Sequence, residues 1–201
     1  NSNSYSLFTQ VMASCGMPVN KGVAKDNKES LSDALKSCLE CDIIVTSGGV
    51  SMGEYDYVKE VMKELGMDEK FWKVAMRPGK PNLFGTIAGK PFFGLPGNPV
   101  STMIGFEVFV RPAIMKMLGR KGGDRIEVEA LLEEDVKTKK GLTFFVRAQT
   151  RWENGGYVTK TTGQQGSGML SSMVKANSLI IVPEDVDTVK TGSMVKVKFL
   201  S

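Results

Sequence analysis

The stretch Ile43-Ile44-Val45-Thr46-Ser47-Gly48-Gly49-Val50-Ser51-Met52-Gly53 runs into Val58, Val61, Met62 and Leu65 and is closed by Gly66; its reading decides the fold. The run Ile43–Val45 is continuously β-branched rather than alternating, the pattern of a strand buried on both faces of a sheet. The later apolar residues recur at three- and four-residue spacing, which predicts a helix starting near Asp56. Strand, glycine-bearing loop and helix in that order predict an α/β domain: a three-layer, mostly parallel sheet with right-handed connections.

Working back from this stretch, Asn27 caps a helix carrying Leu31, Ala34, Leu35 and Leu39. Pro18–Val23 reads as a short strand that ends near Asp26, and Leu7, Val11 and Met12 read as a first helix behind the cap candidates Asn3 and Ser4. Working forward, Phe71–Met76, Asn82–Ile87 and Pro91–Leu95 read as strands, the last two joined as a hairpin through Ala88-Gly89-Lys90. A long apolar helix then runs from Pro99 to about Leu118.

Beyond the basic, glycine-rich hinge Gly119–Gly123 the apolar residues alternate, as at Ile126, Val128 and Ala130 or Val195, Val197 and Phe199. Short strands with glycine turns and one helical stretch near Met169–Val174 predict a small all-β barrel or sandwich. The domains are therefore expected at residues 1–120 and 121–201, the first lacking an opening strand.

Composition narrows the chemistry. The 201 residues carry 26 Lys and Arg against 22 Asp and Glu, a net charge of +4, which suits an anionic small molecule and gives no nucleic-acid footprint. No apolar run approaches the ~20 residues of a membrane span, and the start has no signal-peptide pattern, so a cytoplasmic protein is expected. The three cysteines, Cys15, Cys38 and Cys41, are an odd number, and with no histidine the Cys38–Cys41 pair lacks the ligands for a structural zinc. The absence of histidine also removes the usual general base and every Ser-His triad, leaving carboxylates, Lys, Arg, hydroxyls and backbone amides.

Three loops fit ligand binding at the carboxyl ends of strands. Ser47, Gly48, Gly49, Ser51 and Gly53 form the first, where glycines let the backbone close around an anion or a flat ring. Pro96, Gly97, Asn98 and Pro99 form the second: Asn98 can cap the helix and Pro99 can take its first position, aiming free amides at the cleft. Arg77-Pro78-Gly79-Lys80-Pro81, with Lys73 upstream, is a proline-stiffened basic corner suited to oxyanions. Asp26 and Asp56 are helix-start residues favoured by the dipole, or, if they face the same cleft, ligands for Mg²⁺.

The strings TSGGVSMGEYDYVK (46–59), FWKVAMRPGKP (71–81), GLPGNPVS (94–101) and TTGQQGSGMLSSM (161–173) together resemble the molybdopterin molybdenumtransferase family, that of MoeA and the gephyrin E domain. The resemblance covers essentially the whole chain and corresponds to that family's third, MogA/MoaB-like domain and its fourth, barrel domain. It implies insertion of molybdate into adenylylated molybdopterin with release of AMP, assisted by Mg²⁺, in a homodimer whose site draws on both subunits. It also implies roles for particular residues: Asp26 and Asp56 as functional acids, Lys73, Arg77 and Lys80 as the oxyanion-binding cluster, and Arg147 and Ser167 as the barrel's polar contribution. Arg77 stands where many members carry Lys, exchanging a point donor for a planar fork. The family's first two domains are missing, so the fragment alone is expected to be inactive. Two other functions are weighed against this one. A molybdopterin adenylyltransferase of the single-domain type shares the α/β fold but not the barrel, and a receptor-binding scaffold of the gephyrin type leaves no signature in these residues.

Overall fold

The computed structural model describes residues 2–50, 55–120, 125–166 and 168–200, with the side chains of residues 55–57 outside the description. The chain divides into two compact units: Asn1–Val74 with Pro81–Arg120, and Ala75–Lys80 with Lys121–Ser201.

In the first unit the helices are α1 (Ser2–Ala13), α2 (Lys28–Cys38) and α3 (Tyr55–Glu64). Four strands, β1 (Ile44–Ser47), β2 (Asp68–Trp72), β4 (Leu83–Ile87) and β5 (Lys90–Leu95), form a sheet in the order β1-β5-β4-β2. Side-chain alternation sends Ile44 and Phe92 to one face, where they meet Leu35 of α2 and Val58, Val61 and Met62 of α3. Phe93 and Leu95 go to the other face, against Phe106, Val110 and Ile114 with Leu7 and Val11 of α1. Helices thus cover both faces. Only the β1–β5 pair is parallel, however; β4 runs antiparallel to both β5 and β2. The expectation of a mostly parallel sheet fails among the described residues because the hairpin at Ala88 (φ +50°) and Gly89 (φ +76°) reverses the chain within the sheet.

The long helix predicted from Pro99 forms as α4 (Pro99–Gly105), a π-helical turn (Phe106–Val110) and α5 (Arg111–Met117). No strand forms over Pro18–Val23: Val19 and Val23 are exposed, and β-branched residues without a partner strand gain nothing from extension. Asn3 lies inside α1 rather than capping it.

The second unit contains β3 (Met76–Arg77), β6 (Glu127–Leu132), β7 (Val136–Lys137), β8 (Thr143–Glu153), β9 (Gly156–Thr161), α6 (Leu170–Lys175), β10 (Ser178–Val182), β11 (Thr188–Val189) and β12 (Met194–Phe199). The strands run β10-β12-β6-β9-β8, and β8 pairs again with β10, closing a five-stranded barrel. Ala130, Leu132, Val146, Ala148, Ile180, Val182 and Val197 fill it. The tiny β3 adds to β8 from outside, with Met76 opposite Thr143 and Arg77 opposite Phe144.

Candidate functional site

The parallel register Ser47↔Leu95 brings two of the three predicted loops side by side at the carboxyl ends of β1 and β5. The Gly48 N–H donates to the Leu95 carbonyl at 2.9 Å. Gly48 (φ +94°) and Gly49 (φ +71°) turn the chain through a region that side chains resist. A Cβ at Gly49 would stand 2.9 Å from Val58 Cγ2, and one at Gly97 would stand 3.6 Å from Gly48 Cα, so the two loops lie within about one side-chain atom of each other at their glycines. Asn98 occupies the N-cap position and Pro99 the start of α4, as predicted, but Asn98 makes no side-chain cap bond.

The hydroxyl of Ser47 does not face outward unengaged. Asn3 Nδ2 donates to Ser47 Oγ at 2.7 Å, and Ser47 Oγ donates to the Pro96 carbonyl at 3.1 Å. The buried Thr102 hydroxyl also reaches the Pro96 carbonyl at 2.5 Å and the Asn98 carbonyl at 2.9 Å. Ser47 and Gly97 are exposed, so what the paired ends offer a ligand is mainly loop backbone. Ser51, Gly53 and the side chain of Asp56 lie outside the described residues. Asp26 is exposed, one residue before the Asn27 cap, whose side chain accepts from the Ser30 N–H.

Lys73 takes a left-handed backbone (φ +70°), its N–H held by the Asn82 carbonyl at 2.9 Å. Its ammonium lies 3.8 Å over the Trp72 ring, a cation–π contact, and Trp72 Nε1 donates to the Val50 carbonyl at 3.1 Å. Lys73 is thereby tied to the first glycine loop. Of the basic corner, residues 75–80, with Arg77 and Lys80, group with the second unit, where β3 pairs with β8.

In that unit Arg77 and Arg147 line one cleft of about 460 Å³, with Lys137, Lys139, Glu134 and Asp135. Arg147 is 1% exposed. Its Nε donates to Ser172 Oγ at 3.0 Å and its Nη2 to the Gly166 carbonyl at 3.0 Å, and among the described residues no carboxylate pairs with it. Burial alone pushes its pKa down. Gln165 holds the backbone of Arg147 from both sides, accepting from its N–H at 2.9 Å and donating to its carbonyl at 3.1 Å. The TTGQQGSG string thus wraps the buried cation, although Ser167 itself lies outside the described residues. The acids of the cleft are engaged: Glu134 accepts from the Thr161 N–H, and Asp135 accepts from Lys190 and from both donors of Thr191. Those three bonds hold the Asp135 carboxyl at about 2.

Residues 1–116 match the family described as probable molybdopterin binding domain. The chain belongs to that molybdopterin-binding family. Residues 129–200 match the C-terminal region of MoeA, its domain IV. Among relatives, the molybdopterin molybdenumtransferase of Bacillus subtilis is 32% identical over 98% of this chain and 46% of its own length. A gephyrin of Dictyostelium discoideum is 36% identical over 87% of this chain and 28% of its own. A crystal structure of a molybdopterin biosynthesis MoeA protein from Pyrococcus horikosii superposes with a TM-score of 0.81 at 31% identity, covering 99% of this chain and 48% of that one. The chain spans about half the length of these two bacterial and archaeal relatives.

Sequence reasoning missed Asn3, Thr102 and Gln165. Gln165 stood inside a quoted motif; Asn3 gave no signal, since its partners lie 44 and 94 residues away.

Proposed function

We propose that this chain is the C-terminal part of a molybdopterin molybdenumtransferase, which inserts molybdate into adenylylated molybdopterin and releases AMP. The observation that carries this reading is the junction of Gly48 and Gly97 at the ends of adjacent parallel strands, where open α/β sheets seat their ligands. In this reading the backbone of residues 47–49 and 96–99 takes the pterin phosphate, with Ser51 and Gly53 extending the seat. Lys73 supplies positive charge to a tetrahedral oxyanion in the first unit, and Lys80 adds positive charge in the second. Arg77, Arg147 and Ser167 form a second anion subsite in the barrel unit. A buried guanidinium without a carboxylate is costly until an anion neutralises it, which supports that role for Arg147.

Asp56 and Asp26 serve as the functional acids. Among the described residues no group of three or more His, Cys, Asp or Glu side chains gathers into a cation cage. In this reading Asp56 and Asp26 would hold Mg²⁺, which would neutralise charge on the substrate's phosphates. The barrel unit, matched over residues 129–200, favours this transferase over a single-domain adenylyltransferase. We place the boundary between the functional domains at Arg120/Lys121, residues 75–80 working with the second. The full-length protein acts as a cytoplasmic homodimer and needs neither nucleic acid nor a membrane; among the described residues no helix is long and apolar enough to cross one.

Asp56→Ala in the full-length protein tests the assignment. Molybdate-dependent conversion of adenylylated molybdopterin should disappear while circular dichroism stays unchanged. Undiminished conversion, or conversion that consumes ATP instead of preformed adenylate, refutes it.

A further inference from the structure

Asn3 stands in the first turn of α1, 8% exposed, yet its side chain reaches both loops of the strand-end seat. Its Nδ2 donates to Ser47 Oγ at 2.7 Å and to the Gly97 carbonyl at 2.8 Å. One amide group therefore spans the ends of β1 and β5. Its Oδ1 is buried and has no hydrogen-bond partner among the described residues. An unmatched buried carbonyl oxygen lowers stability, and an apolar side chain of similar size would avoid that cost. What the amide contributes must therefore lie in its two donors. Both acceptors belong to exposed residues, which water could satisfy equally well, so the two bonds add geometry more than stability.

We propose, resting on the reading of the strand ends as the pterin seat, that Asn3 is a positioning residue: it fixes the spacing of Ser47 and Gly97 and so the shape of the seat. Ser47 passes the constraint on by donating to Pro96, which leaves its single hydroxyl proton committed to the loop rather than to a ligand. The ligand meets backbone held in place by Asn3, and Asn3 itself stays beneath it.

Asn3→Leu in the 201-residue chain separates positioning from stability. The melting temperature should hold or rise, because the unmatched Oδ1 is gone. Amide exchange at Gly48, Gly97 and Asn98 should accelerate by roughly tenfold or more while the core amides of β4 and β5 keep their protection. A pterin phosphate ester, used as the probe, should bind roughly tenfold more weakly. Unchanged exchange at those loop amides in a folded variant overturns the assignment. Should the variant not fold, the unmodified chain decides by NMR: slowly exchanging side-chain amide protons on Asn3 uphold it, and rapidly averaged ones overturn it. If the loops loosen in Asn3→Leu but even the unmodified chain ignores the pterin phosphate, the positioning role stands and the ligand assignment of the seat falls.

Discussion

The N–H of Gly48 donates to the carbonyl of Leu95 at 2.9 Å, one residue past the end of β1. The bond continues the parallel ladder into the loop, so the glycine turn starts from a fixed point beside the turn that follows β5. Conformation and packing at this junction can be tested separately. Gly48 and Gly49 both need positive φ, but among the described residues only Gly49 faces a neighbour, Val58 Cγ2 at 2.9 Å from an added Cβ. Gly48→Ala should cost only backbone strain, about 1 kcal/mol, and Gly49→Ala about 2–3 kcal/mol. Adding Val58→Ala to Gly49→Ala should then cost less than Val58→Ala costs alone. Chemical denaturation measures all four chains, and equal losses for the two glycine variants would refute the contact with Val58.

Thr102 is fully buried at the start of α4, and its hydroxyl serves the carbonyls of Pro96 and Asn98. Thr102→Val keeps the volume and removes the donor. A loss of about 1 kcal/mol is expected, the net worth of one hydrogen bond, because Ser47 Oγ still donates to the Pro96 carbonyl and the backbone N–H of residue 102 to the Asn98 carbonyl. Thr102→Ser, which keeps the hydroxyl, should lose less. A valine variant as stable as the parent would show that these remaining donors satisfy both carbonyls by themselves.

Arg147 predicts a stability that depends on ligand. An oxyanion that binds the folded chain raises its stability by about 2.7 kcal/mol at a hundred times its dissociation constant. Pyrophosphate or tungstate should therefore raise the melting temperature of the parent chain, and Arg147→Met, similar in bulk but uncharged, should lose that response. A variant that still responds fully would move the anion away from this cleft.

Asp135 gives the pH dependence a sign. Its carboxyl lies at about 2 in the folded chain, below the ordinary 3.8, first because of Lys190 and then Thr191. A depressed acid stabilises the fold above its unfolded pKa and loses that contribution as the pH falls through the folded value. Asp135→Asn should therefore melt below the parent at pH ~6, and the gap should shrink below pH ~4 and close near pH ~2. A gap that persists at the acid end would mean that shape, not charge, ties Asp135 to Lys190.

Parts of this fold were legible in local sequence. The β-branched run before Ser47 and the prolines flanking Gly97 and Asn98 carry signals within a few residues, and β1 and the start of α4 form where those signals put them. Val19 and Val23 misled because β-propensity counts only when a neighbouring strand is present. The two-residue strand at Met76–Arg77 reads in the sequence as the tail of one strand from Phe71, because two residues are too short to show a period and the partner lies about 67 residues downstream, Met76 facing Thr143. Asn3 looked like a cap because caps are local, whereas its partners are set by tertiary packing. The cleft around Arg147 was half visible: the motif string was conspicuous, but nothing in it announced that Gln165 would bracket the backbone of Arg147.

The brief detour of residues 75–80 into the second unit has a practical corollary for anyone dissecting this chain. The path leaves the α/β unit, lends Met76 and Arg77 to the flank of β8, and returns for residues 81–120 before the barrel proper begins. No single scissor cut yields both pieces intact: a barrel expressed from residue 121 forfeits its sixth strand, and an α/β piece ending at 120 carries that strand with nothing to lie against. Grafting either half onto another scaffold means transplanting the hexapeptide with the barrel and stitching a loop across the gap.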